Sequence, residues 1–458
     1  MKKIKLLLIL VLSFNVIFAQ DARSLHSDCA ISAKQDTIRW DIMSSYKVLD
    51  SHDYSFNELL DEAVTTFVHY FDFLGIQVNH YKTLIKGHVK RHHFALNKGE
   101  REETTFRAVS FSYPSVSPDG EQVMLSGLVT FPVRVGNCPE KMLIYHRVLA
   151  VGKNPPPSDK IPLEAVLTAD NTICVFPDYY GCGTTKGEHL PFISLHYHAK
   201  CATECALVAL NIVKDCGVDL ASDFYTWTTG YSQGAGFALA THRFVENVLS
   251  DSLAHLINLR WSFCGGGVYA PNDLYKEVAR SKYITEPAVF LLGLQSLFYG
   301  HRDNMDSLTF CDLISPELLN FGIDSVLDTY DCGLYDLSKR LRKMYGHAPA
   351  NYLNPLVLDT STCLFNTLET AFALDDCISD WAPQSPVVLF HSKKDKCIPY
   401  RLAEQAHTKL STSGSNRCFL YSPFVNGSHR FNGFFFFAKI LRIREDELYK
   451  KYFIRKQQ

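Results

Sequence analysis

The chain has 458 residues, of which 47% are hydrophobic and 21% charged, a composition typical of a globular rather than a disordered protein. A formal net charge of -2 at pH 7 argues against a nucleic-acid-binding protein, and the sequence carries no zinc-finger or RNA-binding signature. Because single cores rarely exceed about 250 to 300 residues, the length predicts one core domain with sizeable insertions or a small companion.

The first residues have the three parts of a secretory signal peptide. Lysines precede an apolar run over residues 6–18, which is followed by the small residue Ala19. The run is shorter than the roughly 20 residues that cross a bilayer as a helix, and no other stretch is long enough. We therefore expect residues 1–19 to be cleaved before Gln20. The mature protein is expected to be secreted or periplasmic and soluble, without stable membrane insertion.

The segment over residues 20–104 is polar and helix-like, and we expect it to pack on the surface of the core. The pattern then changes to strand-like alternation over residues 106–113 and 123–131, separated by a Pro-Asp-Gly turn. The sequence therefore predicts a β-hairpin at the start of a sheet.

Strands and helices alternate after this hairpin. The predicted strands cover residues 141–145, 172–176, 224–229 and 256–263, and the predicted helices cover about 162–170, 195–215 and 232–248. Apolar strands separated by helices are typical of a mostly parallel sheet that is covered on both faces. The expected fold class is therefore α/β.

Residues 271–383 break this alternation with helix-like pieces, and they predict a helical cap inserted between two strands of the sheet. The alternation resumes with a strand at 386–390, a helix at 400–410, a strand at 418–421 and a helix at about 434–452. We expect residues 105–270 and 384–458 to form one α/β domain around the cap.

Fourteen cysteines follow the predicted signal peptide. An even number in an exported chain favours disulfides or buried thiols over metal binding, because extracytoplasmic compartments are oxidising. Cys201 and Cys205 have helical spacing, but neither a CxxC pair nor a Cys/His framework typical of zinc is present. We therefore expect some disulfides, with no prediction of their pairing, and no metal site.

The run Gly230-Tyr231-Ser232-Gln233-Gly234 is the strongest chemical signal in the sequence. It follows a predicted strand and precedes a predicted helix, which is the context of a nucleophile elbow. Small residues on both sides let the strand and the helix approach closely around a strained serine. Ser232 is therefore the predicted nucleophile, and the alternative is a glycine-rich turn with an incidental serine.

A serine hydroxyl becomes a good nucleophile only beside a base that is held by an acid. The acid should follow a late strand, and Asp395 comes just after the strand predicted at 386–390. Asp380 precedes that strand and is the weaker alternative, while a surface aspartate among lysines is the other interpretation of Asp395. His429 follows the last predicted strand and is the predicted base, with a solvated loop histidine as the alternative.

Acyl transfer also needs backbone N–H donors for the oxyanion of the tetrahedral intermediate. Gln233, directly after the nucleophile, is predicted to supply one donor, and the loop after the strand at 141–145 is predicted to supply the other. In that loop Arg147 is the expected donor and Val148 is the next choice. A glycine is usual at this place, so an ordinary loop is the alternative interpretation.

Taken in chain order, these residues resemble the α/β-hydrolase superfamily. The resemblance rests on His146-Arg147, Asp178-Tyr179-Tyr180-Gly181-Cys182-Gly183, the Ser232 motif, and Asp395 with His429. Pro177-Asp178-Tyr179-x-Gly181-x-Gly183 is also similar to the Pro-Asp-Tyr-x-Gly-x-Gly segment of the secretory-lipase branch. The resemblance covers about residues 105–450. It implies carboxylic-ester hydrolysis through an acyl-serine without a cofactor, and a lid over the acyl pocket; we expect the Tyr-Gly segment to be a tight turn beneath the site.

The leading hypothesis from the sequence is therefore an esterase or lipase acting on a small-molecule ester or lipid. A serine exopeptidase is the nearest alternative, since the same groups cleave amides, but the sequence places no acidic residues that would bind a free N-terminus. The third hypothesis is a catalytically silent hydrolase fold used for binding. The presence of all three residue types in the expected order argues against it, although fold alone does not determine activity. The natural substrate and the oligomeric state stay open at this stage.

Overall fold

The computed structural model describes residue 38 and residues 44–73, 82–134, 136–148, 155–305, 308–329, 333–414, 416–423 and 427–441. The predicted signal peptide lies outside the described residues. Among the helices of the described ranges, none is long and apolar enough to cross a membrane.

The described strands form one nine-stranded sheet. They are β1 (Lys47–Tyr54), β2 (Thr105–Val116), β3 (Gln122–Val133), β4 (Lys141–His146), β5 (Thr172–Pro177), β6 (Tyr225–Tyr231), β7 (Leu259–Gly265), β8 (Val387–Phe390) and β9 (Cys418–Tyr421). Their order across the sheet is β1-β2-β3-β5-β4-β6-β7-β8-β9. The pairs from β1 to β5 are antiparallel and those from β5 through β4 to β9 are parallel, which confirms the predicted mostly parallel sheet.

Helices cover both faces of this sheet. Those outside the insertion are α1 (Phe56–Phe73), α2 (Lys82–Lys90), α3 (Lys98–Glu103), α4 (Leu195–Asp215), α5 (Gln233–Asn247), α6 (Asp251–Ile257), α14 (Tyr400–Thr412) and α15 (His429–Ile440). The helix predicted near 162–170 is a 3-10 helix over Leu163–Asp170. The last helix begins five residues earlier than predicted, which places His429 in its first turn, and the predicted part beyond residue 441 lies outside the described residues.

The two faces of the sheet belong to two apolar cores. On β4, Met142 and Ile144 pack with α4 and α5, whereas Leu143 and Tyr145 point to the opposite face and pack with α1 and α15. Successive residues of a strand face opposite sides, so a strand apolar throughout must be covered twice. This is the physical reason that the continuous apolar runs of the sequence predicted buried parallel strands.

The N-terminal segment contains a strand in addition to the predicted helices. β1 pairs antiparallel with β2 at the edge of the sheet, and seven of its eight residues are exposed. An edge strand that buries almost nothing has no need of alternating apolar side chains, so its sequence carries little strand signal.

The residues between β7 and β8 form a helical insertion with an apolar core of its own. Its helices are α7 (Pro271–Arg280), α8 (Pro287–Gly300), α9 (Pro316–Asn320), α10 (Ile323–Thr329), α11 (Leu334–Tyr345), α12 (Pro355–Leu358) and α13 (Cys363–Ala373). Prolines open four of them at the first turn, where a missing N–H costs nothing. The strands on either side of the insertion pair directly with each other.

The cysteines of the described ranges are all free thiols, so the disulfides expected from the sequence are not found there. Most of them are buried, including Cys174 on β5, Cys264 on β7 and Cys418 on β9. A buried thiol packs as a small apolar side chain and needs no partner. Within the same residues no group of three or more His, Cys, Asp or Glu side chains is arranged to hold a metal ion.

Candidate active site

Ser232 lies in a sharp turn between β6 and α5, with φ 59° and ψ −120°. This backbone conformation is strained for any residue except glycine. The Ser232 N–H donates to the carbonyl of Gly265 on the neighbouring strand at 2.8 Å, which helps to hold the turn. The serine side chain is thereby presented at the carboxyl end of the central strands, as the sequence motif predicts.

The glycines of the motif are required by close backbone contacts. A Cβ atom on Gly234 would lie 2.1 Å from the carbonyl oxygen of His146 and 2.8 Å from that of Arg147. A Cβ atom on Gly230 would lie 2.4 Å from the carbonyl oxygen of Gly234. The turn after β4 therefore packs directly against the start of α5, and only residues without a side chain fit at these two positions.

Three of the predicted site residues come together around this turn. His429 Nε2 lies 2.8 Å from Ser232 Oγ, and His429 Nδ1 lies 2.6 Å from Asp395 Oδ2. Both Asp395 and His429 are buried, at 6% and 5% exposed. Because the carboxylate can only accept, the His429 Nδ1–H donates to it, and Nε2 is left to accept from the serine hydroxyl. The weaker alternative acid, Asp380, is exposed and makes no such contact.

The Asp395 carboxylate is held in its charged form. Burial by itself raises the pKa of this carboxyl, but the neighbouring His429 and, less strongly, His391 outweigh it and leave the pKa below its usual range. The second carboxylate oxygen accepts the backbone N–H groups of Cys397 and Ile398 at 2.9 and 3.0 Å. The carboxylate is therefore both ionised and fixed in direction by its own loop.

Two neighbours of this group were not identified from the sequence. The buried hydroxyl of Tyr231 donates to the backbone carbonyl of His429 at 2.6 Å. His391 is fully buried and its Nε2 lies 2.8 Å from the carbonyl of Ile398 and 3.5 Å from Asp395 Oδ2. The only available signals were their positions, beside the predicted nucleophile and four residues before the predicted acid, and neither position by itself indicates a side-chain direction.

The two predicted oxyanion donors are placed differently. Gln233 is the first residue of α5, where backbone N–H groups point out of the helix end, and it lines the same cavity as Ser232. Its side-chain amide donates to the carbonyl of Phe192 at 2.8 Å. Arg147 lies against a different, smaller cavity. Its guanidinium donates to the carbonyl of Pro155 and to Cys182 Sγ, each at 3.1 Å.

The Pro-Asp-Tyr-x-Gly-x-Gly segment forms a buried turn next to this arginine. Ser126 Oγ donates to Asp178 Oδ2 at 2.5 Å, and burial raises the pKa of that carboxyl. Gly183 has φ 56°, and a Cβ there would lie 2.1 Å from Ser126 Oγ. The Arg147 guanidinium lies 6.0 Å from the ring centre of Tyr179. These contacts are internal to the fold.

Ser232 and His429 lie at one side of a cavity of about 580 Å³ between the sheet and the insertion. Its walls are mainly apolar, and the insertion supplies many of them from α7 and α8, including Leu274, Val278, Val289 and Phe290. A concave, largely apolar cavity of this size with a few polar groups at one side is typical of a small-molecule site.

No protein-family model matches the sequence, and no curated protein sequence matches it. Solved structures do match. A Legionella pneumophila protein superposes with a TM-score of 0.64 at 17% identity over 87% of this chain and 96% of its own. The rice cell wall degrading esterase LipA from Xanthomonas oryzae gives a TM-score of 0.63 at 17% identity over 90% and 99%. Candida antarctica lipase A gives 0.51 at 15% identity over 72% and 74%. The chain therefore has the α/β-hydrolase fold, which confirms the predicted fold class.

Proposed function

We propose that the chain is an exported serine hydrolase that cleaves carboxylic esters. The observation that carries this proposal is the continuous hydrogen-bonded arrangement of Asp395, His429 and Ser232 at the side of a mainly apolar cavity. The esterase and lipase among the structural neighbours agree with it. The predicted signal peptide supports export to the periplasm or the medium.

In the proposed reaction Ser232 Oγ attacks the ester carbonyl while His429 Nε2 takes its proton. The imidazolium formed in this step is stabilised by the ionised Asp395. His429 then returns the proton to the leaving alcohol, and a water molecule activated by the same imidazole releases the acid from the acyl-serine. Apart from the ester and this water molecule, the proposed steps use only groups of the chain itself.

The negative charge of the tetrahedral intermediate needs two donors. The backbone N–H of Gln233 is our first assignment, supported by its place at the N-terminus of α5 and in the cavity wall. Arg147 remains our second assignment through its backbone N–H, because Arg147 lies in the turn after β4 that packs against the start of α5. The guanidinium of Arg147 faces away from this cavity and takes no part in the proposed reaction.

We further propose that residues 271–383 are a cap over the substrate cavity, and that residues 105–270 and 384–458 are the catalytic domain. The supporting observations are the separate apolar core of the insertion and its contribution to the cavity wall.

We prefer ester cleavage to exopeptidase activity because the two acidic side chains in the cavity wall are already paired with arginines. Glu277 and Glu286 both line the cavity, and sequence reasoning did not place either one. Glu277 forms an ion pair with Arg401, and Glu286 forms ion pairs with Arg342 and Arg430. Carboxylates that are already paired with arginines are poor sites for the ammonium group of a peptide substrate.

The proposal predicts that Ser232→Ala abolishes ester hydrolysis. Loss of the nucleophile should lower kcat by at least about a thousandfold. The measurement is a chain-length panel of p-nitrophenyl esters run beside aminoacyl-anilides, together with labelling by a fluorophosphonate probe. Ser262→Ala is a matched control, because Ser262 is a buried serine on the next strand, β7.

Full activity in the Ser232→Ala variant would overturn the proposed mechanism. A strong preference of the wild type for anilides would instead identify an exopeptidase. A folded wild type that neither labels nor hydrolyses any ester, under conditions where a control hydrolase does, would favour a binding protein.

A further inference from the structure

One buried carboxylate of the insertion reaches the helix that carries His429. Glu286, the residue just before α8, is 7% exposed, and each of its carboxylate oxygens accepts from a different arginine. Arg430 Nη2 lies 3.0 Å from Oε1, and Arg342 Nη1 lies 3.2 Å from Oε2. Arg342 belongs to α11 of the insertion, whereas Arg430 directly follows His429 in α15. The carboxylate therefore joins the insertion to the neighbour of the proposed base.

A second contact from the insertion fixes the same arginine. The Arg430 guanidinium carbon lies 4.0 Å from the ring centre of Tyr335, which is buried at the start of α11 and lines the cavity. A planar guanidinium that is held by a carboxylate on one side and an aromatic face on the other has little freedom left. Both groups that hold Arg430 come from the insertion and neither comes from the sheet domain.

The residue before Glu286 contacts the loop of the acid. Thr285 Oγ1 donates to the carbonyl of Lys396, next to Asp395, at 2.7 Å. The guanidinium of Arg342 donates to the Thr285 carbonyl as well as to Glu286. Two successive residues of the insertion thus contact both the loop that holds Asp395 and the helix that begins with His429.

We propose, on the premise that the chain is the serine hydrolase argued above, that Glu286 and Arg430 are positioning residues for His429. Through this ion pair the insertion holds the imidazole of His429 within hydrogen-bonding distance of Ser232. The proposed cap would therefore position the base as well as line the substrate cavity. A misplacement of about 1 Å in a reacting group can cost roughly 100-fold in rate. Removing the pair should therefore slow the chemical step more than it weakens substrate binding.

The experiment compares five variants of the full chain: three single variants at the ion pair, the double variant Glu286→Gln/Arg430→Gln, and one control. Arg430→Gln removes the pair but leaves Glu286 with Arg342, so no buried carboxylate is left without a partner. Glu286→Gln removes the same pair from the other side, and Arg430→Lys keeps the charge. Lys409→Gln is the matched control, because Lys409 on α14 pairs with Asp273 and Asp376, at the two ends of the insertion, at 3.6 and 3.7 Å. It breaks ion pairs between the insertion and the sheet domain that involve neither α15 nor the loop of Asp395, and it leaves the proposed machinery intact.

The readout is kcat and KM for p-nitrophenyl acetate, whose acyl group is too small to depend on the cavity walls. We expect Arg430→Gln and Glu286→Gln to lower kcat by about 10-fold or more with KM changed less than about twofold. The double variant should be no slower than the slower single variant. Arg430→Lys should regain part of the rate, because lysine keeps the charge but not the planar group that lies against Tyr335. Unchanged kcat in both single variants, or an equal loss in Lys409→Gln, would overturn the proposal.

Hydrogen–deuterium exchange separates failure of this proposal from failure of the proposed function. Amides of residues 427–441 should exchange faster in Arg430→Gln and Glu286→Gln than in the wild type or Lys409→Gln, whether or not the wild type hydrolyses esters. An inactive wild type with this exchange pattern would contradict the proposed function but support the contact between the insertion and α15. An active wild type with unchanged exchange in both variants would sink the positioning role alone.

Discussion

The conformation of Ser232 is stabilised by its neighbours rather than by its own preference. A φ of 59° on a residue with a side chain costs of the order of 1–3 kcal/mol, which the surrounding structure must supply. The hydrogen bond from the Ser232 N–H to the Gly265 carbonyl and the hydrogen bond between Ser232 and His429 offset part of this cost. Tyr231, the residue before Ser232, also holds His429 in place, because its hydroxyl donates to the backbone carbonyl of His429. The nucleophile motif thus contains a side chain that holds the proposed base.

Tyr231→Phe is predicted to lower kcat clearly while it lowers the free energy of unfolding only slightly. Loss of one buried hydrogen bond should cost about 1 kcal/mol of unfolding free energy, while release of the His429 backbone should lower kcat several-fold. Activity on p-nitrophenyl acetate and urea unfolding measure the two effects.

Tyr113→Phe serves as the matched control for this prediction. Tyr113 is also buried, and its hydroxyl donates to the carbonyl of Cys201 at 2.9 Å, on the face of the sheet that packs with α4. It should lose similar stability and keep its activity. Equal activity loss in the two variants would contradict a positioning role for Tyr231.

At the scale of elements, the site depends on how closely α5 approaches the end of β4. The carbonyls of His146 and Arg147 occupy the space that a side chain at position 234 would need. His146 itself is anchored, with Thr241 Oγ1 3.2 Å from its Nε2 and Tyr179 3.3 Å from its Nδ1. Burial lowers the pKa of His146 to about 3, so its imidazole stays neutral and serves as a fixed hydrogen-bonding support. Any shift of the turn after β4 to make room for a side chain at position 234 would therefore break these hydrogen bonds and cost free energy.

Gly234→Ala is predicted to be strongly destabilising. Its Cβ would overlap backbone atoms rather than flexible side chains, so the helix or the turn must shift, at a cost of about 1–3 kcal/mol or more. The same shift would disturb Ser232 and slow labelling by a fluorophosphonate. Thermal unfolding and labelling rate measure the two effects.

Gly87→Ala is the comparison for this glycine. Gly87 lies inside α2, and a Cβ there would meet only the end of the Arg91 side chain at 3.5 Å. Alanine should be neutral or slightly stabilising at that position, since it is the better helix former. If Gly234→Ala were equally harmless, the close approach of α5 and β4 would be disproved.

On the scale of the whole molecule, one carboxylate connects α5, the helix after the proposed nucleophile, with the chain that returns from the insertion. Glu246 on α5 accepts from His242 and from three groups near the start of β8: Trp381 Nε1 and the backbone N–H groups of Gln384 and Ser385. Burial alone would raise the pKa of Glu246, but the hydrogen bond and charge of His242, with the two backbone donors, lower it to about 2.

This pKa predicts a loss of stability in acid. The folded pKa lies below the ordinary value of 4.5, so the charged group stabilises the fold at neutral pH, and that stability is lost as pH falls from about 4.5 toward 2. The contribution is of the order of 3 kcal/mol. Glu246→Gln should be less stable than the wild type at pH 7, and the difference should shrink in acid.

Urea unfolding at pH 7, 5 and 3 measures this dependence. The exposed Glu317 on α9 provides the control, and Glu317→Gln should follow the wild type at each pH. A difference between Glu246→Gln and the wild type that stays constant with pH would contradict the assignment.

The sequence by itself determined the main architecture and named three residues that the fold brings together. Buried parallel strands are apolar throughout and helices are periodic, so local pattern was enough for the mostly parallel sheet and the insertion. Ser232 was identifiable because the elbow imposes glycines locally. Asp395 and His429 were identifiable because parallel strands end at one edge, so residues that follow them meet there. Their roles, like that of Ser232, stay predictions until the variants are measured.

Other features were decided only by the tertiary structure. β1 was missed because an exposed edge strand carries no alternation. No disulfide was found among the described residues, where most of the cysteines are buried thiols that packing alone satisfies. The contacts of Tyr231 and Glu286 with the His429 helix join residues about 140 to 200 positions apart, and no local pattern encodes such a contact. Local sequence determines which elements form, while the side chains that hold the proposed base in place depend on how those elements pack.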